Sequence, residues 1–336
     1  MQMGKMKMDS MTTKQNNPLM LANSHHRIAL VTHVHPDGDA YGSVLGLKQI
    51  LSEKALVVDA FAEKDPQSKF SFLPAFDQLK GKDGLSEEPY DLCFVLDCGN
   101  EDRVQEFSPL LALSKVIINI DHHVSNTKFG HVRWLDPTAS STSEIVTALA
   151  TDLHYSVSAD AATCLLTGIM MDTGSYLYDN TTEKTHLATA FLLEQGADHA
   201  SVRYHLFQNR PLQNVKFLGY LIDEMELLFD DKVVFLTVSD YLLKQFNVAY
   251  EDLDEFIAYV RDIEGVELAI IFKELSLDET KLSLRSKKWC NVNKLASNFN
   301  GGGHERAAGA VIKASIEETR KMILPLLKKM FNGDQL

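Results

Sequence analysis

Three consecutive residues, Asp121-His122-His123, bring a carboxylate and two imidazoles to one point of the chain, directly after the apolar run Val116-Ile117-Ile118-Asn119-Ile120. A short, β-branched run of this kind reads as a buried strand. The three side chains are then expected at its C-terminal end, the edge of an open α/β sheet where ligands bind. The arrangement recurs. Arg27 to Thr32 leads into His33 and the turn Pro36-Asp37-Gly38-Asp39, Leu92 to Leu96 leads into Asp97, and Cys164 to Met171 leads into Asp172-Thr173-Gly174. Read as equivalent strand ends, these segments each deliver an Asp, alone or with His.

His33, Asp37, Asp39, Asp97, His122 and Asp172 make six potential ligands, four of them carboxylates. Oxygen donors mixed with imidazole suit Mn²⁺ or Mg²⁺ better than a thiolate-rich zinc site does. Six ligands are too many for one ion and suit two. A pair of ions about 3.5–4 Å apart provides an oxygen nucleophile and stabilises charge on a phosphoryl group during in-line displacement. The chemistry implied is hydrolysis of a phosphoester or phosphoanhydride by hydroxide, with no phosphorylated enzyme intermediate. Any one of these aspartates could instead be a helix cap or turn residue, and a single histidine a hydrogen-bonded structural one. Their co-occurrence favours a metal site.

A second motif, Gly301-Gly302-Gly303-His304-Glu305-Arg306, lacks the GK[ST] of a phosphate loop and the strand-turn-helix context of a dinucleotide fingerprint. Its backbone N–H groups, with His304 and Arg306 alongside, would hold a phosphate or a sugar edge; the bland alternative is a flexible turn. Arg285, followed by Ser286-Lys287-Lys288, offers another positive contact, or the lysines form a solvated patch.

Positioning these groups requires alternating strands and helices. From Arg27 to about Phe207 the sequence supplies them: helix over Ala40 to Lys54, strand over Leu56 to Phe61, and helices over Ser141 to Leu153 and Ala159 to Met171. The first of the latter pair opens with a capping pattern, Ser141 three residues before Glu144. Alternation of this kind predicts an α/β fold with a mostly parallel sheet flanked by helices. Gln208-Asn209-Arg210-Pro211 breaks the pattern, and a helix from Leu212 to Leu228 follows. A smaller α/β domain is expected beyond it. Its elements are strands over Lys232 to Val238, Val266 to Lys273, Lys281 to Arg285 and Ala310 to Ile312, and helices over Asp252 to Val260, Val292 to Phe299 and Ser315 to Met330. The division predicted is a disordered tail (1–23), a catalytic domain (24–208), a linker helix (209–228) and a substrate-binding domain (229–336).

With 336 residues, 45% of them hydrophobic and 24% charged, the composition is that of a globular chain long enough for two cores. A formal net charge of −13 argues against an indiscriminate nucleic-acid coat protein, although bound cations reverse the local sign for a phosphate. The first 23 residues lack the apolar core of a signal peptide. No run approaches the roughly 18 apolar residues of a membrane span. Cys93, Cys98, Cys164 and Cys290 form no CxxC pair and are expected as buried free thiols in a reducing cytoplasm.

These motifs together resemble the DHH phosphoesterase superfamily, in its branch with a DHH-associated C-terminal domain, and within it the bacterial oligoribonuclease and 3′-phosphoadenosine 5′-phosphate phosphatase group. The resemblance is carried by His33 to Ser43, Asp97-Cys98-Gly99 with Arg103, Asp121-His122-His123, Ser141-Thr142-Ser143-Glu144, Asp172-Thr173-Gly174 and Gly301 to Gly309. It implies two Mn²⁺ ions, with Mg²⁺ or Co²⁺ as substitutes: one on His33, Asp37 and Asp97, the other on Asp39, Asp97, His122 and Asp172. It further implies that His123 faces the scissile phosphate with Asp121 supporting it, that Arg103 contacts phosphate, and that Arg285, Gly302, Gly303, His304 and Arg306 bind substrate. His35 stands where relatives often have Asn, and Tyr41 where an aliphatic residue is common; neither removes a ligand.

The activity implied is hydrolysis of short RNA and of phosphoadenosine phosphate, by a cytoplasmic enzyme with no membrane or long duplex partner and with a homodimer left open. A small cleft suits oligonucleotides of roughly two to five units, whereas a processive nuclease needs an extended basic groove with stacking aromatics. A linear or cyclic dinucleotide phosphodiesterase is the enzymatic alternative. A non-catalytic nucleotide sensor is the alternative of another class, though no ligand position is degenerate.

Overall fold

The structure, a computed structural model, describes residues 16–22, 27–54, 57–63, 69–85, 87–250 and 253–331, with 254 and 255 described through their backbone only. The chain divides into two compact units, Met1–Asn209 and Arg210–Leu336.

The first unit is built on five parallel strands in the order β2-β1-β3-β4-β5. These are β1 (Arg27–Val31), β2 (Val57–Phe61), β3 (Tyr90–Leu96), β4 (Ser114–Asp121) and β5 (Val132–Leu135). Its helices are α1 (Gly38–Ser52), α2 (Ser108–Ala112), α3 (Thr142–Asp152), α4 (Ala159–Asp172), α5 (Glu183–Glu194) and α6 (His199–Arg203). Strand side chains alternate between faces. Ile28, Leu30, Phe94, Leu96, Ile118 and Ile120 accordingly join the core that holds α1, α3 and α4. Ala29, Val31, Cys93 and Val95 meet Phe107, Leu110 and Leu111 on the opposite face. All four cysteines are buried and unpaired.

Two helices of this unit touch backbone to backbone. A Cβ on Gly42 of α1 would lie 2.5 Å from the Cys164 carbonyl oxygen and 3.0 Å from the Gly168 nitrogen, both in α4. Gly42→Ala is therefore expected to destabilise the chain by about 1–3 kcal/mol through overpacking, read as a lower thermal midpoint by circular dichroism. An unchanged midpoint would mean that the helices separate at no cost.

The second unit carries a six-stranded mixed sheet in the order β10-β11-β9-β8-β7-β6. The strands are β6 (Glu226–Leu228), β7 (Val233–Val238), β8 (Leu268–Ser276), β9 (Glu279–Ser286), β10 (Gly302–Gly303) and β11 (Ala307–Ile312). The helices are α7 (Leu212–Asp223), α8 (Asp240–Phe246), α9 (Leu253–Arg261), α10 (Val292–Ser297) and α11 (Ile316–Phe331). Phe235, Ile270, Phe272, Leu282 and Leu284 pack with Leu295, Ile323 and Leu327 on one face. Leu236, Ala269 and Ile271 pack with Phe217, Leu221, Phe256 and Ile257 on the other.

Several expectations need correction. The segment ending at Asp172 is the helix predicted over Ala159 to Met171, here α4 with Ala161 to Met170 all buried, so Asp172 stands at a helix end and not at a fourth strand end. The predicted helix from Leu212 to Leu228 stops at Asp223, and Glu226–Leu228 pairs antiparallel with β7. It is no free linker, since Phe217 and Leu221 are buried in the second unit's core. Within the presumed tail, Leu19 is fully buried in the first unit's core and Asn17 donates to the Leu149 carbonyl oxygen at 2.8 Å. Residues 1–15 and 23 lie outside the described residues. Gly302 and Gly303 form a short strand instead of a loop. Among the described residues no helix is long and apolar enough to cross a membrane.

Candidate metal centre

In a sheet of order 2-1-3-4-5 the winding direction reverses between β1 and β3, and the crevice at the C-terminal ends of those strands is where a ligand can enter. His33 follows β1, Asp97 follows β3, and Asp121-His122-His123 ends the neighbouring β4. The turn after β1 adds Asp37 as the N-cap of α1 and Asp39 in its first turn, and α4 contributes its last residue, Asp172.

Asp97 lies at the centre, 2% exposed, with one carboxylate oxygen turned to each of two histidines. His33 Nε2 is 3.7 Å from Oδ2 and His122 Nε2 is 3.6 Å from Oδ1. His122 Nε2 also lies 3.2 Å from Asp172 Oδ2. The two longer separations exceed hydrogen-bond length. They are close to the spacing of neighbouring donors on one cation, roughly 3.0–3.4 Å for metal–ligand distances near 2.1 Å. Three donor groups of the first unit result, His33 with Asp37 and Asp97, Asp39 with His122 and Asp172, and Asp97 with Asp121 and His123, each with its ligand atoms within 4.8 Å of one another; the first two are the sets expected to hold ions.

The surrounding backbone holds these ligands in place. Asp37 Oδ1 accepts the Asp39 and Ala40 N–H groups, so the bland reading of this residue as a helix cap and its membership of a donor group are both correct. Asp39 is fully buried and accepts the Thr142 and Ser143 N–H groups at 2.6 and 2.9 Å. The positive end of the α3 dipole thus faces a carboxylate. Thr142 Oγ1 donates to Asp97 Oδ1 at 3.1 Å. Asp97 itself has φ +53°, a left-handed conformation that is strained for a non-glycine residue and recurs at functional sites. Glu144 does not close a capping box; it accepts from Ser140 Oγ and Thr185 Oγ1 at 2.6 and 2.8 Å.

Without a cation, protons must balance the carboxylates. Burial, then the fields of Asp97 and Asp172, hold the Asp39 carboxyl well above its usual range. Burial pushes Asp172 up to about 6. Burial also opposes the charged form of Asp97, but the neighbouring His33, His123 and His122 carry it below the usual carboxylate range. For His33 and His122 burial favours the neutral ring, and the neighbouring carboxylates overcome it, so both are raised. These imidazolium protons supply positive charge where a divalent ion would displace them. The donor set therefore fits hard divalent cations.

His33 Nδ1 lies 2.8 Å from the Val34 carbonyl oxygen. A protonated Nδ1 donates to that carbonyl, whereas an unprotonated one accepts from a guanidinium, and Nε2 faces Asp97 in either state. Arg103, expected at a phosphate, is placed by the structure with Nη2 3.0 Å from the same His33 Nδ1.

A chain of side chains that sequence reasoning did not identify runs beneath His123. His123 Nδ1 is 2.7 Å from Asp121 Oδ1, and Asn126 Nδ2 donates to Asp121 Oδ2 at 2.6 Å and to Asn119 Oδ1 at 2.9 Å. Asn119 in turn donates to the Val95 and Cys98 carbonyl oxygens, tying β4 to the loop after Asp97. The only signal in the sequence is an asparagine three residues past His123, within reach of a tight turn. Asn126→Ala is expected to lower turnover about 10–100-fold, the usual cost of losing a partner that orients a site group. Equal turnover in the variant and the parent would show that Asp121 holds His123 unaided.

In the second unit, β10 and β9 flank β11: Gly303 pairs with Ala308, and Ala307 with Arg285. Gly303 has φ +146°, and a Cβ there would sit 2.4 Å from the Ala307 carbonyl oxygen, so only glycine fits. The His304 N–H donates to that same oxygen at 2.7 Å, closing the turn. Arg306 Nη1 is engaged by the Cys290 carbonyl oxygen at 3.1 Å, and Arg285 Nη1 by that of Leu284 at 3.1 Å.

Comparison with known proteins adds the family. Residues 27–169 match the DHH family, N-terminal domain, and residues 230–332 match the DHHA1 domain. The chain is 32% identical to the bifunctional oligoribonuclease and PAP phosphatase NrnA of Thermus thermophilus, over 90% of this chain and 89% of that protein. It is 30% identical to the protein of the same name from Bacillus subtilis, over 87% and 91%. Among solved structures, an exopolyphosphatase-related protein from Bacteroides fragilis matches with a TM-score of 0.84 at 27% identity, covering 91% of this chain and 93% of that one. Matched along most of its length by such relatives, and with its donor groups at the C-terminal ends of a parallel sheet, this chain belongs to the DHH family, with a DHH N-terminal domain followed by a DHHA1 domain.

Proposed function

We propose that this chain is a Mn²⁺-dependent phosphoesterase that hydrolyses very short oligoribonucleotides to mononucleotides and phosphoadenosine phosphate to AMP. The observation that carries the reading is Asp97, a buried carboxylate whose Oδ2 faces His33 and whose Oδ1 faces His122 and His123, so that it would be available to a cation held on either side. The names of the NrnA relatives support the substrate class.

In this reading His33, Asp37 and Asp97 hold one ion, and Asp39, Asp97, His122 and Asp172 the other. When bound, such a pair supplies an activated water and neutralises charge on the phosphoryl oxygens. Asp121 keeps the Nδ1 proton of His123 in place, so the opposite ring nitrogen is presented to the scissile phosphate. Arg103 binds phosphate after leaving His33. Arg285, Gly302, Gly303, His304 and Arg306 of the second unit bind the phosphate and sugar of the substrate. Residues 24–208 serve as the catalytic domain and 229–336 as the substrate-binding domain, with 209–228 between them. A cytoplasmic location belongs to the same reading.

The test offers the Mn²⁺-loaded protein phosphoadenosine phosphate, a two- to five-nucleotide RNA series, linear and cyclic di-adenylate, pyrophosphate and polyphosphate side by side. Faster turnover of the short RNAs and phosphoadenosine phosphate is expected. Preference for cyclic dinucleotide or for polyphosphate would replace the substrate assignment, and tight nucleotide binding without any turnover would replace the enzyme with a sensor.

A further inference from the structure

The second unit carries a groove of about 800 Å³ beside the start of the glycine motif, within the size range of sites that hold small ligands. One wall is the segment from Asn298 to Gly302, which leaves α10 and enters β10; the other is β11 from Gly309 to Ile312, with Lys313 just beyond it. The walls meet closely because glycine lets two backbones touch. A Cβ on Gly301 would lie 2.2 Å from the Gly309 carbonyl oxygen and 2.5 Å from the Ala310 Cβ. β11 runs on to Ile312, whereas β10 pairs with it only at Ala308 and Gly309. Beyond Gly309 that edge of β11 has no neighbouring strand among the described residues, and Val311 is 51% exposed.

Charge indicates the occupant. The chain as a whole carries a formal net charge of −13, yet the lining of this groove includes two lysines, Lys281 and Lys313, and no carboxylate. An anion is favoured there, and a metal ion is not. Phe299 and Val311 add apolar surface on which a sugar or a base can lie.

The groove is continuous with residues already assigned to the substrate. Gly302 belongs to both. The strand register sets Ala307 opposite Arg285 and Val311 opposite Lys281. Residues four apart on a strand share a face, so Lys281 stands on the face of Arg285, about 13 Å along β9. That is farther than adjacent phosphates of one strand stand apart. A chain that touches both cations must extend past a single nucleotide.

We propose that this groove holds the phosphate backbone of the RNA beyond the nucleotide bound at Arg285 and the glycine motif, with Lys281 and Lys313 as the phosphate contacts that set the preference for chain length. The identity of the ligand rests on the phosphoesterase reading above.

The test measures binding of a hydrolysis-resistant phosphorothioate pentanucleotide and of phosphoadenosine phosphate to the Mn²⁺-loaded full chain. In K281A/K313A the pentanucleotide Kd is expected to rise about five- to tenfold, the sum of two exposed charge contacts. The slope of log Kd against log salt is expected to become shallower by about 1.4, two phosphates at roughly 0.7 each in a single strand. Phosphoadenosine phosphate, too short to reach the lysines, is expected to keep its Kd, and K281R/K313R to bind like the parent. An unchanged pentanucleotide Kd, or an equal loss for both ligands, would overturn the proposal. A parent that binds the pentanucleotide through the two lysines but hydrolyses no short RNA would leave the groove standing and remove the phosphoesterase reading instead.

Discussion

Asp97→Ala is expected to lower phosphoester hydrolysis by about 10³-fold or more, the scale on which a single preorganised electrostatic group acts. The size follows from position. Asp97 is a ligand of the His33–Asp37 donor group, and its other oxygen faces His122 and His123, so its loss empties a position of one donor group and removes the carboxylate beside the other. The fold should survive the change at a cost. Asp97 repels Asp39 and Asp172, but His33, His123 and His122 hold it below the usual carboxylate range, so the folded chain stabilises its ionised form and loses that stabilisation in the variant. The metal-free variant is therefore expected to melt below the parent while keeping its circular dichroism spectrum. Circular dichroism melting together with single-turnover kinetics on a short RNA checks both halves. A variant within tenfold of parent activity would remove Asp97 from the centre of the mechanism.

Removing divalent cations is expected to abolish turnover and to lower stability together. Ions bound at a hundredfold excess over Kd stabilise by about 2.7 kcal/mol, which for a unit of this size raises the thermal midpoint by roughly 5–10 °C. The effect has a defined sign with pH. Ligation needs Asp172 as a carboxylate and His33 and His122 as free bases, whereas in the metal-free protein burial lifts Asp172 to about 6 and neighbouring carboxylates raise both rings above the usual histidine range. Ion binding thus releases protons, and affinity falls as the pH is lowered through about 6. Calorimetry in two buffers of different ionisation enthalpy measures that release. A chelated protein whose midpoint does not move on adding Mn²⁺ would rule out the donor groups as a metal site.

Much of this was legible in the residues. The apolar runs before His33, Asp97 and Asp121 are strands because β-branched side chains alternate into two buried faces, and a parallel sheet must place the residues that follow them on one edge. Asp172 was legible as a candidate and the helix over Ala159 to Met171 as its carrier; what failed was grouping Asp172 with the strand ends, because α4 packs against Gly42 and Gly46 of α1 and delivers Asp172 from a helix end. Asn126 and Thr142 were not legible as parts of the site. Nothing in an isolated asparagine or a helix N-terminus says which carboxylate it will meet: Asn126 meets Asp121 through a local turn whose shape the residue types do not specify, and Asp39 and Asp97 reach Thr142 only across the fold.

The sequence by itself determined the kind of chemistry, since residue types and their order along the chain are local properties: carboxylates and imidazoles at element ends, thiols without partners, and an acidic chain that needs cations to accept phosphate. The tertiary structure alone decided that Asp97 stands among His33, His122 and His123 and that the start of α3 holds Asp39. Distances between side chains dozens of residues apart are set by how sheets and helices pack, and no pattern read along one dimension contains them.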